Sequence, residues 1–400
     1  MNRHASKRDN GQALVVMVIA MVAVIGGLGL IVDGGNAWAQ QRITQAGNDA
    51  SAEAGAMILA QNLAAAPAPV SGWDAAVNTA VTTAAANNGV TVDIAYYTDI
   101  CGTLLRPDGT KAAGVNTAAV VGAGVLPTNN NTNPDCPAGT VGPVAGVQVM
   151  GSRPFGTFVS SIIGVSSLTA KTNATAVSGL LQGTCAGDGG CIVLPVTVPV
   201  TVVTCGKTGD VQSVIPPIPW PKNTPVVVPL CKGNPGNVGW IDWTPKGGGA
   251  KELEDAILHP NNPPIDLPSW NYVTQTGNPN SKMIEDALNT YMGQIVLFPL
   301  FDLTCGQDPD LSQTKVGPTY GCGDVGGNGS NQWYRFPAFA AFRLTQAYVN
   351  GNNKPACDTG NGATSCLKGE FVDFITVGTV GPGIGGGTTS GAVIGTQLIR

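Results

Sequence analysis

Cysteine is the residue type with the most distinctive chemistry in this chain. Ten cysteines are present, and all of them follow a long uncharged segment near the N-terminus. They stand at Cys101, Cys136, Cys185, Cys191, Cys205, Cys231, Cys305, Cys322, Cys357 and Cys366. An even number of cysteines on one side of such a segment is typical of disulfide bonds in an oxidising compartment. Zinc binding, the alternative, requires short C-x-x-C spacings and histidines, which this arrangement does not provide.

The sequence predicts disulfides but does not select their pairing, because ten cysteines allow about 945 pairings. Pairing each cysteine with its nearest neighbour would close loops rich in Gly, Pro and Asn, which have little other means of becoming ordered. Each such bond would stabilise the fold by about 2 to 4 kcal/mol, because it restricts the unfolded chain. The nearest-neighbour pairing, which stays one candidate among these pairings, joins Cys101 with Cys136, Cys185 with Cys191, Cys205 with Cys231, Cys305 with Cys322, and Cys357 with Cys366.

Histidine and charge content exclude several classes of function. His4 and His259 are too few for a His-based metal cluster, an H-E-x-x-H site or a multi-His relay. Charged residues make up only 11% of the 400 residues, and a net charge of -5 gives no basic surface for nucleic acid. Glu252, Glu254 and Asp255 indicate the first turn of a helix rather than an acid and base pair. We therefore predict no catalytic residue, no cofactor, no metal site and no nucleic-acid partner.

Two acidic segments could bind a cation. Asp310, Ser312 and Thr314 follow the D-x-S-x-S spacing of the metal-binding motif in von Willebrand A domains. That motif needs a buried strand before the aspartate, whereas Gly306–Pro309 precedes it here, so a loop is predicted. Asp324, in a glycine-rich stretch, could contribute to a calcium cage. A turn is the favoured interpretation of that stretch.

A transmembrane helix is predicted near the N-terminus. No charged residue lies between Asp9 and Asp33, and a helix of this length covers the roughly 30 Å of a hydrocarbon core. Arg3, Lys7 and Arg8 precede the segment, whereas the next positive residue after it is Arg42. The positive-inside rule therefore places residues 1–11 in the cytoplasm, residues 12–32 in the plasma membrane as a single pass, and the bulk of the chain outside.

Two kinds of processing compete with a retained anchor. Ala37–Ala39 has the A-x-A form of a signal-peptidase site, but the apolar run is longer than the roughly 7 to 15 residues of a secretory signal. Gly11 stands where a prepilin leader would be cut, but Val16 replaces the glutamate that such leaders carry. A retained anchor is favoured.

The first sixty or so residues carry several features in a fixed order. A basic leader and Gly11–Ala13 precede the apolar segment, Asp33–Ala39 follows it, and an alanine-rich run begins at Gln45. This order resembles the TadE/TadG-like pilus-assembly family, whose members share R-G-Q-A, an apolar helix, D-x-G-x-x-Y and an alanine-rich run. Three positions depart from the family pattern: Asn10 stands where the family often has arginine, Trp38 stands near the aromatic position, and Gly47–Asn48 replaces two alanines before Asp49. The resemblance implies a non-catalytic, membrane-anchored component of Tad (Flp) pilus assembly or of surface adhesion machinery.

The resemblance also implies partners, namely membrane lipid together with pilus-assembly proteins, pilins or a second copy of the chain. Gly26, Gly27 and Gly29 lie in the outer half of the predicted span. We predict that they pack against another transmembrane helix, because close approach over small residues replaces the hydrophobic effect in lipid. Asp33 and Asp49 are predicted to face solvent. A stripe of mostly small residues continues at helical spacing at Ala39, Ile43, Ala46, Ala50, Ala54, Met57 and Gln61.

Tryptophan is concentrated in the outer C-terminal part and keeps a second class of function open. Aromatic rings can stack on sugars, although large aromatics are more often buried in a core, and the core interpretation is favoured. The alternative is an anchored cell-surface protein that binds or hydrolyses a glycan or another polymer. The residues are Trp220, Trp240, Trp243, Trp270 and Trp333.

The rest of the chain predicts an α+β fold in two domains. Residues 33–183 are predicted to form helices packed on an antiparallel sheet, and residues 184–400 a β-rich, loop-rich domain stabilised by disulfides. In the first domain, the predicted elements are a helix from the capping pair Ser71 and Asp74 to 87, and strands at 90–96, 144–149 and 168–177. In the second, they are helices at 250–258 and 281–292 and extended segments at 192–203, 225–230, 294–303 and 333–344. The frequent prolines restrict some of these segments to sheet edges.

Overall fold

The fold is α+β, as the sequence predicts. The structure is a computed structural model that describes residues 9–65, 72–127, 141–142, 144–181, 191–199, 224–230, 239–241, 249–260, 267, 269–273, 281–301, 303–305, 322–323, 332–349, 357, 365–377, 380–381 and 393–399. The helices are α1 (Asp9–Ala65), α2 (Trp73–Asn87), α3 (Ala250–Leu258) and α4 (Lys282–Asn289).

Strands make up most of the remaining described structure. In chain order they are β1 (Thr91–Asp99), β2 (Val144–Gly156), β3 (Ser167–Leu181), β4 (Ile192–Val193), β5 (Val196–Pro199), β6 (Pro225–Pro229), β7 (Gly239–Trp240), β8 (Ser269–Val273), β9 (Ile295–Phe301), β10 (Leu303–Cys305), β11 (Cys322–Gly323), β12 (Gln332–Phe336), β13 (Ala338–Tyr348), β14 (Cys366–Phe371), β15 (Phe374–Val377), β16 (Val380–Gly381) and β17 (Val393–Ile399). They form three sheets among the described residues.

Helix α1 is one continuous helix with two different halves. Its 57 residues extend about 86 Å at 1.5 Å per residue. Residues 13–28 are exposed, whereas one face between Asp33 and Ala60 is buried. By length and composition, α1 is able to cross a membrane. The helix ends at Ala65, two residues before Pro67, whose ring and missing amide would interrupt a longer helix.

Helices α1 and α2 pack on the first sheet. The strand order of this sheet is β1-β2-β3-β17-β15, and β16 also pairs with β3. Strands β2 and β3 are antiparallel over their whole shared length, from Gly146 opposite Val177 to Gly156 opposite Ser167. Val147 on β2 is fully buried against α1 and α2 in one apolar cluster. The two helices therefore cover one face of the first sheet.

The first sheet also contains strands from the far end of the chain. Strand β17 pairs antiparallel with β3 over residues 175–180 and parallel with β15. The domain boundary predicted at residues 183 and 184 therefore does not separate the chain cleanly. Strands β15, β16 and β17 complete a sheet that β1, β2 and β3 begin, and such a pairing over a long sequence distance leaves no local signal in the sequence.

Two further sheets and two helices form the rest of the described structure. The seven-stranded sheet has the order β6-β14-β13-β9-β5-β7, with β4 also paired to β9, and the four-stranded sheet has the order β11-β10-β12-β8. Helices α3 and α4 cover one face of the seven-stranded sheet through Ile257 and Leu288. The opposite face meets the four-stranded sheet, where the rings of Phe301 and Tyr334 lie 4.9 Å apart. Strand β6 begins and ends with proline and lies at a sheet edge, as its composition predicts.

The start of α2 differs from the predicted capping pair. Its N-cap residue is Gly72, at a φ of 107°, and Ser71 lies outside the described residues. Asp74 is buried, and its carboxylate accepts hydrogen bonds from the amides of Gly122 at 2.9 Å and Gly124 at 2.7 Å. Asp74 therefore holds a distant loop against α2 instead of taking part in a capping box.

The disulfide Cys357–Cys366 is present, with an S–S distance of 2.10 Å, and it is one of the nearest-neighbour candidates. Cys101 and Cys191 are also disulfide-bonded. No free cysteine occurs among the residues whose side chains are described.

The other predicted pairings stay predictions. Cys305 and Cys322 are directly opposite each other on β10 and β11. Opposite residues of antiparallel strands have Cα atoms about 4.5 to 5.5 Å apart, which suits a disulfide. The cysteines that lie outside the described residues are Cys136, Cys185, Cys205 and Cys231.

Candidate functional site

The N-terminal half of α1 exposes side chains that a folded core would bury. Met17 is 74% exposed and Ile31 is 71% exposed, and the large apolar side chains described between them are 48% to 65% exposed. A continuous apolar surface of this kind marks contact with a membrane or with another protein. The candidate functional site is this exposed half together with Gly29–Asn36, here called the junction, where α1 meets the folded part of the chain.

The three glycines predicted to mediate helix packing have different surroundings. A Cβ atom at Gly26 or Gly27 would have no described atom within 4 Å. A Cβ atom at Gly29 would lie 2.5 Å from Cγ1 of Val159, closer than real side chains approach. The prediction for Gly29 is therefore corrected, because this glycine packs against the turn between β2 and β3 of its own chain.

The junction is attached to that turn on one face of α1. Gly29, Asp33 and Asn36 are spaced by four and three residues, which places them on the same side of the helix. The Asn36 side-chain amide donates a hydrogen bond to the carbonyl of Gly156 at 3.0 Å. Successive turns of the helix thus contact the β2–β3 turn from its base to Val159.

Asp33 makes the central contact of the junction. It is only 6% exposed, so the prediction that it faces solvent is wrong. One carboxylate oxygen accepts from the amide of Phe158 at 2.7 Å, and the other accepts from the amide and the hydroxyl of Ser160, both at 2.6 Å. The amide of Val159 lies 3.3 and 3.2 Å from the two oxygens. The carboxylate therefore caps the short 3₁₀ helix Ser160–Ile163, whose first amides have no partner within the helix.

These hydrogen bonds stabilise the ionised form of Asp33. The Ser160 hydroxyl contributes most and the Phe158 amide next, and together with the other donors they lower the pKa of Asp33 from 3.8 to about 2. Because the folded pKa lies below the unfolded value, ionisation favours the folded turn. This contribution is complete above the unfolded pKa and is lost as the pH falls from about 4 through 2.

Replacing Asp33 by Asn should loosen the β2–β3 turn. Asparagine offers one neutral acceptor oxygen in place of two charged ones, so the hydrogen bonds to Phe158 and Ser160 weaken or are lost. In hydrogen exchange at neutral pH, protection of the amides of residues 158–160 should fall about tenfold, since each charge-assisted bond is roughly twice as strong as a neutral one. The unmodified protein should show the same loss of protection only as the pH approaches about 2.

Asp49→Asn is the matched control for this prediction. Asp49 lies on the same helix, and its carboxylate accepts a hydrogen bond from the Gln45 side chain at 2.7 Å. This variant should leave protection of residues 158–160 unchanged. Equal loss of protection in both variants would mean that α1 as a whole had been destabilised, and the capping role of Asp33 would then be rejected.

The buried face of α1 is not the predicted stripe of small residues. A Cβ atom at Gly47 would lie 2.4 Å from Cγ2 of Val90, so this glycine allows the helix to approach the sheet closely. Ala39, Ile43 and Ala46 of the predicted stripe are exposed. Beyond the junction, the buried positions of α1 are Thr44, Gly47, Asn48, Ser51, Ala52, Gly55, Ala56, Leu59 and Ala60.

Sequence reasoning missed the residues of the turn that contact the junction. Their signal is an interval from Pro154 to Ala170 that contains no charged residue, although it connects two strands. Connections between strands are usually polar, so an uncharged turn that contains Phe158 and Ile162 is unusual. The contact with Asp33 spans more than a hundred residues of sequence, and neither segment alone predicts it.

Two tryptophans lie together on the four-stranded sheet. Trp270 on β8 is directly opposite Arg335 on β12, and Trp333 stands two residues before Arg335. Alternation along a strand therefore places these three residues on one face, and all three are half-buried. Tyr334 and Phe336 are buried on the other face.

The remaining candidate residues divide into described and undescribed positions. Trp240 is half-buried and packs against the core beneath α3 and α4. Among the described residues, no group of three or more His, Cys, Asp or Glu side chains could hold a metal ion. The candidates that lie outside the described residues are Trp220, Trp243, Asp310, Ser312, Thr314 and Asp324.

No protein-family model, curated protein or solved structure matches this chain. A proposal for function therefore rests on the geometry of the exposed helix and the junction, together with the N-terminal motifs.

Proposed function

We propose that this chain is a single-pass, non-catalytic membrane protein of Tad (Flp) pilus assembly or of surface adhesion machinery. The observation that carries the proposal is the exposed apolar half of α1, which continues without interruption into the half that packs on the first sheet. A helix of this kind holds a folded domain directly against a membrane surface without a linker. The N-terminal motifs that resemble the TadE/TadG-like family favour the pilus system in particular.

Cysteine chemistry and charge support the proposed orientation. Cys357 and Cys366 are bonded to each other, and Cys101 and Cys191 are also in disulfides, which agrees with a folded part outside the plasma membrane. The positive charges nearest the apolar segment precede it, so residues 1–11 would stay in the cytoplasm.

An assembly role requires surface that the chain does not use itself. A Cβ atom at Gly26 or Gly27 would meet no atom of the described residues within 4 Å, and Ala39, Ile43 and Ala46 are exposed on α1 beyond the span. Small residues let another helix come close, which is the main source of helix association in lipid. The free surface of α1 is therefore available to pilus-assembly proteins, to pilins or to a second copy of the chain.

Replacing Gly26 and Gly27 together by Leu should weaken assembly without removing the anchor. Leucine favours insertion into the membrane, while its side chain separates helices that otherwise approach over glycine. We expect crosslinking of the full-length protein to its membrane partners, and the number of pili per cell, to fall about tenfold, the effect of losing one to two kcal/mol of helix contact. Gly29 is kept in this variant because leucine there would overlap Val159.

The matched control replaces Ile19 and Val22 by Leu on the same helix. Both residues are exposed and already large, so this change preserves apolar bulk and should leave crosslinking and piliation unchanged. Unchanged crosslinking and piliation in the glycine variant would reduce α1 to a simple anchor. That result would remove the assembly role from the proposal.

The face formed by Trp270, Trp333 and Arg335 favours a second candidate function. Aromatic rings beside a guanidinium group on one sheet face can stack on sugar rings and hydrogen-bond to their hydroxyls. In that case the chain would be an anchored glycan- or polymer-binding protein. Release of the folded part from the membrane separates the two candidates, because glycan binding would survive it and pilus assembly would not.

A further inference from the structure

We infer that the turn between β2 and β3, residues 157–166, inserts its apolar side chains into the outer face of the lipid bilayer beside α1. The protein would then meet the membrane at two places, a spanning helix and a shallow apolar turn. This inference rests on the membrane anchoring in the proposed function. It adds a second lipid contact, made by a part of the chain some 120 residues away from the span in sequence.

The turn lies at the level where α1 enters the predicted span. Val159 contacts Gly29, which lies four residues, or about 6 Å, before Asp33 along the helix. The base of the turn is higher, since Gly156 is hydrogen-bonded to Asn36. The hairpin therefore runs along the helix toward the membrane. Its tip extends beyond Asp33, the charged residue that borders the apolar segment on the outer side.

The composition of the turn suits lipid rather than water. Phe158 is 65% exposed and Ile162 is 79% exposed, and Val165 and Leu168 are each 42% exposed. No charged residue lies between Pro154 and Ala170. Large apolar side chains at the tip of a connection have little reason to face water, and their shared position beside an apolar helix identifies the bilayer as the surface that covers them.

Many of the backbone groups of the turn are hydrogen-bonded within the protein, which favours entry into a bilayer. Lipid offers no partner for a free amide or carbonyl, so a segment that enters it must satisfy its own polar groups. Asp33 accepts the amides of Phe158, Val159 and Ser160. Further hydrogen bonds lie within the turn. The amide of Ile162 donates to the carbonyl of Val159, that of Gly164 to Ser161, that of Val165 to Ser160, and that of Thr157 to Ser166. The Thr157 hydroxyl donates to the carbonyl of Val165, and the Ser161 hydroxyl donates to the carbonyl of Phe158.

Polar anchors border the apolar turn on its water side. Lys171 pairs with Asp93 at 3.4 Å, and Arg153 lies three residues before Gly156 on the neighbouring strand. On α1, Trp38 is 60% exposed, and the Arg42 guanidinium lies 4.9 Å from the centre of its ring. Tryptophan and basic residues are enriched at the boundary between lipid and water. This succession of an apolar tip followed by basic and aromatic residues matches the succession of hydrocarbon, headgroup and water.

Photocrosslinking of the full-length protein tests the inference directly. The photoreactive residue p-benzoylphenylalanine would replace Phe158 or Ile162, one at a time, and each protein would be reconstituted in vesicles of phosphatidylethanolamine and phosphatidylglycerol. Both side chains are exposed, so the replacements should not disturb folding. After irradiation, mass spectrometry distinguishes a lipid adduct from a crosslink to a second protein chain. We expect lipid adducts at both positions.

Two control positions make the result decisive. Ile19, 63% exposed in the middle of the apolar segment, should give lipid adducts if α1 spans the bilayer. Val125, 48% exposed, follows Gly124, which is hydrogen-bonded to Asp74 at the end of the domain far from the apolar half. Adduct yield at Ile162 should exceed that at Val125 roughly tenfold, because the hydrocarbon core is only about 30 Å thick and lies on one side of the domain.

Each other outcome overturns the inference in a distinct way. Lipid adducts at Ile19 without adducts at Phe158 and Ile162 would leave the anchor intact and place the turn in water. Crosslinks from Phe158 or Ile162 to a second copy of the chain would identify the turn as a protein contact. Absence of lipid adducts at Ile19 as well would remove both the anchor and the lipid-inserted turn.

Discussion

Replacing residues 1–28 by a cleavable secretory signal should release the protein from the membrane as a folded, soluble molecule. Residues 13–28 are exposed and contribute nothing to the described core, while the junction from Gly29 onward is kept. A spanning helix inserts almost irreversibly, whereas a short apolar turn alone binds membranes weakly and reversibly. The ratio of membrane-bound to soluble protein should fall about a hundredfold or more when measured by fractionation at physiological salt. Pilus output should be lost, because an assembly component must be held beside its partners.

The extent of the deletion decides what this experiment measures. A deletion through residue 60 also removes Ala52, Ala56 and Leu59, which are at most 1% exposed and fill the core beneath the first sheet. That longer deletion should give a misfolded protein that is degraded or aggregated. Protein lacking residues 1–28 that stays in the membrane fraction would refute the anchor, and protein that is soluble and still binds glycan would favour the second candidate function.

Replacing Phe342 by Ala should strongly destabilise the part of the chain built on the seven-stranded sheet. Phe342 is fully buried on β13, and its ring lies 5.1 Å from the ring of Phe298 and 5.1 Å from that of Phe371. Truncation removes a large apolar side chain and leaves a cavity that rigid strands on both sides cannot fill. The free energy of unfolding should fall by about 3 to 5 kcal/mol. Urea unfolding of the released soluble form measures it.

Met292→Ala serves as the control for this prediction. Met292 is 53% exposed just after α4, so shortening it creates no cavity, and the free energy of unfolding should change by less than about 0.5 kcal/mol. A loss below about 1 kcal/mol for Phe342→Ala would show that the aromatic cluster is not a packed core. The register of β9, β13 and β14 would then need to be revised.

Elements defined by local patterns could be predicted from the sequence. The helix predicted at 250–258 is α3 residue for residue, and Ser281 caps α4 by accepting a hydrogen bond from the amide of Ile284, as its residue type suggests. The segment predicted at 333–344 is instead two strands, because Pro337 lies between Phe336 and Ala338 and has no amide to donate to a ladder. Such signals depend only on neighbouring residues.

Features that join distant parts of the chain could not be predicted in this way. The residues next to Asp33 in the sequence are the same whether its side chain faces water or caps the β2–β3 turn. Only the fold brings the Ser160 amide to 2.6 Å from its carboxylate. Gly29 likewise carries the signal of a small residue on a membrane helix, and the identity of its neighbour, Val159, is set by the hairpin geometry. The insertion of β17 into the first sheet is the largest such effect, since its partner strand β3 ends before residue 182.

The position of β17 determines when the first sheet can be completed during synthesis of the chain. Strand β3 is complete roughly 200 residues before β17 is synthesised, a delay of about 10 to 40 s at ordinary translation rates. During that interval the edge of β3 that β17 will later occupy has not yet gained this partner. An unpaired edge is a template for pairing with other chains. The domain nearest the membrane is therefore among the last parts able to finish folding, and a nascent chain in transit is most vulnerable to aggregation at β3.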